Sequence, residues 1–109
     1  MTKLNLLQGT LDLIVLRALD GPPLHGYAIA QHIRAVSQER LLVEEGSLYP
    51  ALYRMEKKAW IQSEWGTTDK GRRARLYSLT ADGRKQLAAE RANWEALTDV
   101  MDRLLRQGE

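Results

Sequence analysis

The stretch Glu44-Glu-Gly-Ser-Leu-Tyr-Pro-Ala-Leu-Tyr-Arg-Met-Glu-Lys-Lys58 reads as a short helix with an abrupt start. Ser47 is suited to the N-cap, where its hydroxyl accepts from a free first-turn amide. Pro50 then falls at the third helical position, where a missing N–H costs nothing. Leu48, Leu52, Met55 and Ala59 keep the 3, 4, 7 spacing of one buried face. At about 100° per residue, Pro50, Tyr53 and Lys57 lie opposite that face, with Arg54 beside them. A helix over 47–58 that shows water a tyrosine, an arginine and a lysine needs its neighbours to say what it is for.

Upstream, Leu4 to Leu19 carries Leu7, Leu11, Ile14, Val15 and Ala18 at helical spacing, and Leu16 and Leu19 widen the stripe, so this helix packs on two sides. Asp20-Gly-Pro-Pro23 ends it. A second helix is expected over His25 to Val36, with Tyr27, Ala30, Ile33 and Val36 inward and Ile29 beside them. Leu41-Leu-Val43 has the composition of a very short strand. Downstream, Gln62 to Trp65 and Arg75 to Leu79 alternate as strands. Gly66-Thr-Thr-Asp-Lys-Gly-Arg-Arg-Ala74 between them makes a turn with a basic tip. Three helices followed by a hairpin is the order of a winged helix-turn-helix, with 47–58 as recognition helix and 66–75 as wing.

Thr80-Ala-Asp-Gly83 opens one more helix, with Thr80 as N-cap and Asp82 in the first turn. It runs to about Gln107, roughly 38 Å at 1.5 Å per residue. Leu87, Trp94 and Met101 recur every seven residues, and Leu97 and Leu104 form a second register, which Glu90 breaks near its start. An apolar seam this long calls for a partner, most simply the same helix of a second copy. The expected division is a winged helix-turn-helix domain over 1–80, the candidate DNA-binding part, and a dimerisation helix over 81–109. The fold class is mostly α, α+β, with Leu7, Leu11, Leu87, Trp94, Leu97, Met101 and Leu104 expected at the homodimer interface.

Composition agrees without deciding the matter. The 109 residues hold three Trp, four Tyr and no Phe, so aliphatic side chains dominate the core, and a net charge of +2 is too small to imply nucleic acid by itself. The absence of cysteine excludes disulfides and thiolate metal sites. The chain shows no Ser-His-Asp, Cys-His or paired-carboxylate arrangement, and 66–71 lacks the strand-loop-helix setting of a phosphate-cradling loop. No enzyme, metal or cofactor is expected. No apolar run approaches the roughly 20 residues of a bilayer span, and no signal peptide is seen, so a cytoplasmic protein is expected.

A helix about 10–12 Å across fits the major groove, about 12 Å wide. Arg54 and Lys57 are suited to guanine edges, and Ser47, Tyr49 and Tyr53 to phosphates. The wing's Lys70, Arg72, Arg73 and Arg75 are suited to phosphates or the adjacent minor groove. Tyr27, Pro50 and Lys58 complete the expected double-stranded DNA surface. Tyr27 is expected to pack in the core with its hydroxyl at the surface.

These residues also carry a resemblance. His25-Gly-Tyr27, Gly46-Ser-Leu-Tyr-Pro-Ala-Leu52 with Met55-Glu56, the basic wing, and Tyr77-Ser-Leu-Thr80 with Gly83 resemble the PadR family of bacterial transcriptional regulators, in its branch with a single short C-terminal helix. The likeness runs from about Leu6 to Leu105. It implies a homodimeric winged-helix regulator, usually a repressor, and for some small members a planar aromatic effector held against a tryptophan that Trp94 matches. Arg75-Leu-Tyr77 departs from the family's commoner basic-Tyr-Tyr run. Trp94 fits a plain seam position equally well. Two other readings stand beside the repressor: a small-molecule sensor using the dimer interface, and a winged-helix interaction module without DNA.

Overall fold

The computed structural model describes residues 8–107 as α1 (Gln8–Ala18), α2 (Gly26–Val36), α3 (Glu45–Lys57), β1 (Ile61–Thr67), β2 (Arg73–Leu79) and α4 (Ala81–Arg106). This is the expected winged helix-turn-helix followed by one long helix. The expected interface residue Leu7 lies outside the described residues.

The core is aliphatic. Leu11, Val15, Leu16 and Leu19 from α1 meet Ile29 and Ile33 from α2 and Leu48, Ala51, Leu52 and Met55 from α3. Ile61, Tyr77 and Leu79 from the sheet and Leu87 from α4 close it. Leu11 and Leu87 are thus buried within one chain, so they have almost no surface left to offer a second copy. Of the seam residues, Trp94, Leu97, Met101 and Leu104 stay exposed.

Several local expectations change. α3 begins two residues before Ser47: Glu44 is the N-cap residue, without a side-chain cap, and Glu45 stands in the first turn, where its charge suits the helix dipole. Ser47 is the third helical residue and Pro50 the sixth. The amide Pro50 lacks would have bonded the carbonyl of Gly46, which is exposed and open to solvent. Residues 41–43 form no strand, and the bridge to β2 is made by Leu24 instead; Leu41 and Val43 pack on the core from a loop. On α2 the buried positions are Gly26, Ile29 and Ile33, while Tyr27 is 63% exposed and Val36 is exposed as well. The inward face is turned from the one expected, because the close approach of α3 is made at Gly26.

α3 ends in a Schellman motif. The amide of Trp60 bonds the carbonyl of Met55 (3.1 Å), and that of Ala59 bonds Glu56 (3.0 Å). Ala59 takes the left-handed position with φ 60° and is exposed rather than part of the buried face. From there the chain enters the hairpin, whose strands are longer than expected and pair antiparallel from Ile61↔Leu79 to Thr67↔Arg73. A one-residue bridge between Leu24 and Tyr77, with N–H···O distances of 3.0 and 2.8 Å, joins the α1–α2 turn to the sheet. The α1–α2 turn is thereby hydrogen-bonded to the base of the wing.

α4 is fixed at its start. Thr80 Oγ1 accepts from the Gly83 amide (2.9 Å) and donates to the Ala59 carbonyl (2.6 Å). Gly83 lies so close to the Trp60 carbonyl that a Cβ would sit 1.9 Å from that oxygen. Only glycine lets the first turn of α4 seat there. Among the described residues no α4 position beyond Leu87 is buried, and the molecule extends 57 × 33 × 21 Å.

Candidate nucleic-acid interface

The exposed face of α3 carries Ser47, Tyr49, Pro50, Tyr53 and Lys57. Lys57 Nζ lies 5.0 Å from the centroid of the Tyr53 ring, so the two form one amphipathic cap. Tyr49 leans back over α2, where its hydroxyl occupies the space a Cβ on Gly26 would need, 2.4 Å away. Lys58 turns from this face to lie 4.6 Å over Trp60.

Arg54 does not join that face. Its Nη2 donates to Asp12 Oδ1 of α1, with the arginine side chain 30% and the aspartate 13% exposed. The geometry makes Arg54 a strut between α1 and α3, and Asp12 holds the guanidinium that its helical phase offers to base edges. Periodicity assigns a residue to a face of its own helix; it does not show a partner 42 positions away.

The wing brings its cations together with α2. A cleft of about 580 Å³ is lined by His25, Tyr27 and Gln31 on one side and by Lys70, Arg72 and Arg73 on the other. His25 caps α2 through Nδ1, which accepts from the Ala28 amide at 3.3 Å, and its ring stacks parallel to that of Tyr27 with centroids 6.4 Å apart. Tyr27, expected in the core, is thus presented beside the wing.

Arg75 belongs to a different cluster. Its Nε and Nη2 donate to Ser63 Oγ (3.1 and 2.6 Å), and Ser63 Oγ donates to Glu56 Oε2 of α3 (2.8 Å). Arg75 Nη2 is also 3.7 Å from that carboxylate oxygen. Behind them, burial first and the Glu56 charge second raise the Tyr77 hydroxyl above its ordinary value of 10.0. The cluster ties recognition helix to wing. The sequence reading missed Trp65, which is 56% exposed with Arg73 and Arg75 against its ring. Strand register could have found it, since Trp65 pairs directly with Arg75.

Away from this surface, α1, α2 and α4 form an open pocket of about 340 Å³ lined by Leu13, Ile14, Ala18, Ile33, Leu87 and Trp94, with Arg17, His32, Arg91 and Glu95 among its polar groups.

A winged helix with an exposed recognition face and a basic wing is the architecture of a DNA-binding regulator. The chain belongs to the PadR-like family of transcriptional regulators, whose model matches residues 15–89. It is similar to a transcriptional regulator from Clostridium thermocellum (30% identity, TM-score 0.82, covering 91% of this chain and 96% of that one). It is also similar to a PadR family regulator from Clostridium difficile (31%, TM-score 0.75, covering 86% and 96%). An uncharacterized protein of Lysinibacillus sphaericus is 28% identical over 102 residues, 94% of each chain. Family and structural neighbours are transcription regulators rather than enzymes. Among the described residues no helix is long and apolar enough to cross a membrane.

Proposed function

We propose that the protein is a repressor that binds a pseudo-palindromic operator as a homodimer, with α3 in the major groove and the wing on the backbone or minor groove. The observation that carries this reading is the union of two surfaces. The Tyr49, Tyr53 and Lys57 face of α3 and the cations of the wing belong to elements joined by the Ser63–Glu56 hydrogen bond, so one approach of a duplex meets both. Tyr49 and Tyr53 offer rings to thymine methyls and hydroxyls to phosphates, and Lys57 offers a donor to guanine. Lys70 and Arg72 supply sequence-independent affinity. DNA as target makes the cytoplasm the place of work.

The second copy is argued from α4. Trp94, Leu97, Met101 and Leu104 lie exposed on its outer half. About half of each side chain is still exposed, so covering them stabilises by about 1 kcal/mol each, which a parallel or antiparallel mate would supply. A footprint on the DNA upstream of the protein's own gene tests the reading. Protection of two half-sites about 10 bp apart, or a multiple of it, is expected. Absence of protection at moderate salt contradicts it.

The pocket favours a second, compatible reading, in which a planar aromatic effector stacks on Trp94. Leu13, Ile14, Arg17 and Ala18 face the pocket from α1, and Asp12 leaves the same helix toward Arg54 of α3. A ligand that shifts α1 would reach the recognition helix through that ion pair. Quenching of Trp94 fluorescence by planar dyes, lost in Trp94→Leu, supports it; no quenching counts against it.

A further inference from the structure

Strand alternation places Ile61, Ser63 and Trp65 of β1 on one sheet face, opposite Leu79, Tyr77 and Arg75 of β2. Near the body this face buries Ile61, Tyr77 and Leu79. Farther out the same face carries Trp65, Arg75 and Arg73, and no core covers them. The guanidinium carbon of Arg73 lies 4.3 Å from the indole centroid and that of Arg75 lies 5.3 Å from it. Arg75 is held from behind by Ser63 and Glu56. The order of contacts is therefore Glu56 of α3, Arg75, Trp65, Arg73. Among the described residues the Arg73 side chain makes no hydrogen bond or ion pair beyond its contact with the Trp65 ring, and it lines the cleft that faces Tyr27 of α2.

We propose that Trp65 is a positioning residue for DNA: braced by Arg75, its indole holds Arg73 at the mouth of the wing–α2 cleft, where the guanidinium meets a backbone phosphate. The proposal rests on the DNA-binding reading above. A guanidinium lying against an aromatic ring keeps its N–H edge free, and that edge is what matches a phosphate. Indole is the strongest of the aromatic rings for this contact. Arginine is otherwise a long side chain whose ordering on binding opposes affinity; the ring removes part of that freedom before DNA arrives. The anchoring of Arg75 to α3 sets the height of this phosphate contact relative to the bases that α3 reads. Simple coverage of an apolar ring by two arginines would leave a different mark, since its loss would appear in stability and not in DNA affinity.

The test uses the full chain, an operator duplex and a scrambled duplex, with binding followed by fluorescence anisotropy and folding by thermal unfolding. Trp65→Leu keeps an apolar side chain and removes the π face. It is expected to weaken both complexes by about 2- to 10-fold, the range for one ordered long side chain, with an unchanged unfolding temperature. Trp65→Phe is expected to recover most of the loss. In a double-mutant cycle, Arg73→Ala is expected to cost less in the Trp65→Leu background than in the wild type, by about the factor that Trp65→Leu alone loses. Wild-type affinity in Trp65→Leu, a loss that Phe does not recover, or strictly additive losses would each overturn the proposal while leaving the DNA-binding reading intact. Failure of the wild-type chain to bind any duplex would overturn that reading and this proposal together.

Discussion

Arg54 of the recognition helix donates to Asp12 of α1, and the pair is more than two-thirds withdrawn from water on both sides. α1 thus touches the Trp94 pocket with one face and α3 with the other. A charge-assisted hydrogen bond of this burial contributes on the order of 1.5–3 kcal/mol, and removing one partner leaves the other poorly solvated. Arg54→Ala is expected to lower unfolding free energy by about that amount while leaving base preference unchanged at each operator position. Asp12→Asn is expected to release the arginine and steepen the salt dependence of DNA binding by about one unit. Denaturant titrations and anisotropy at several salt concentrations read both; a base-specific loss in Arg54→Ala would restore the base-reading role.

Gly26 and Tyr49 give a second handle on the recognition face. A Cβ at Gly26 would stand 2.4 Å from the tyrosine hydroxyl and 2.8 Å from Cζ. The obstructing atoms are the far end of a half-exposed side chain, so the ring can swing outward. Gly26→Ala is therefore expected to change stability by less than about 1 kcal/mol, since alanine also favours the helix, yet to weaken operator binding by displacing Tyr49. The Gly26→Ala, Tyr49→Ala double variant should bind no worse than Tyr49→Ala alone. Full affinity in Gly26→Ala would remove Tyr49 from the interface.

How much of this was legible beforehand follows from what kind of force sets each feature. Helix order, the hairpin and the start of α4 at Thr80 were readable because periodicity, turn residues and caps are local. The misplaced start of α3 has a local cause as well: Ser47 is a good cap, but Glu44-Glu45 upstream suits a helix N-terminus, and the structure uses them. The spacing of Tyr27, Ala30 and Ile33 points Tyr27 inward. Its position was decided by the Gly26–Tyr49 contact between helices, which no single-helix pattern contains. The partners of Arg54 and Trp65 lie beyond such patterns for the same reason, Asp12 and Arg75 being set by tertiary packing and strand register. Leu87 kept the heptad, but its depth in the core depends on where α4 packs on the body.

Ala59 holds a left-handed backbone with φ 60° at the end of α3. A side chain there costs about 1–2 kcal/mol that glycine avoids. Ala59→Gly is expected to raise unfolding free energy by up to about 1 kcal/mol, after the extra entropy of glycine in the unfolded chain is subtracted. A loss of stability would mean that the Schellman turn is not formed as described.

Tyr77 makes stability fall at alkaline pH. Its folded-state pKa is raised above 10.0 by burial, so the folded protein holds the phenolic proton more tightly than the unfolded chain. That contribution is complete below pH 10.0 and is lost as pH rises through the folded value. Tyr77→Phe should lack this part of the decline, which denaturant midpoints on either side of pH 10.0 would show.

Self-association should depend on the outer half of α4. Leu97→Glu and Met101→Glu place charge on exposed seam positions that touch no core. The expectation is a monomer with an intact winged helix, read by sedimentation and circular dichroism. A dimer unaffected by both changes would move the interface elsewhere.

The most direct test of the central claim is the stoichiometry of the complex with an operator duplex, measured by analytical ultracentrifugation at moderate salt. Two chains per duplex, with affinity falling steeply as salt rises, is the predicted result. One chain per duplex, or binding indifferent to salt, would contradict the account.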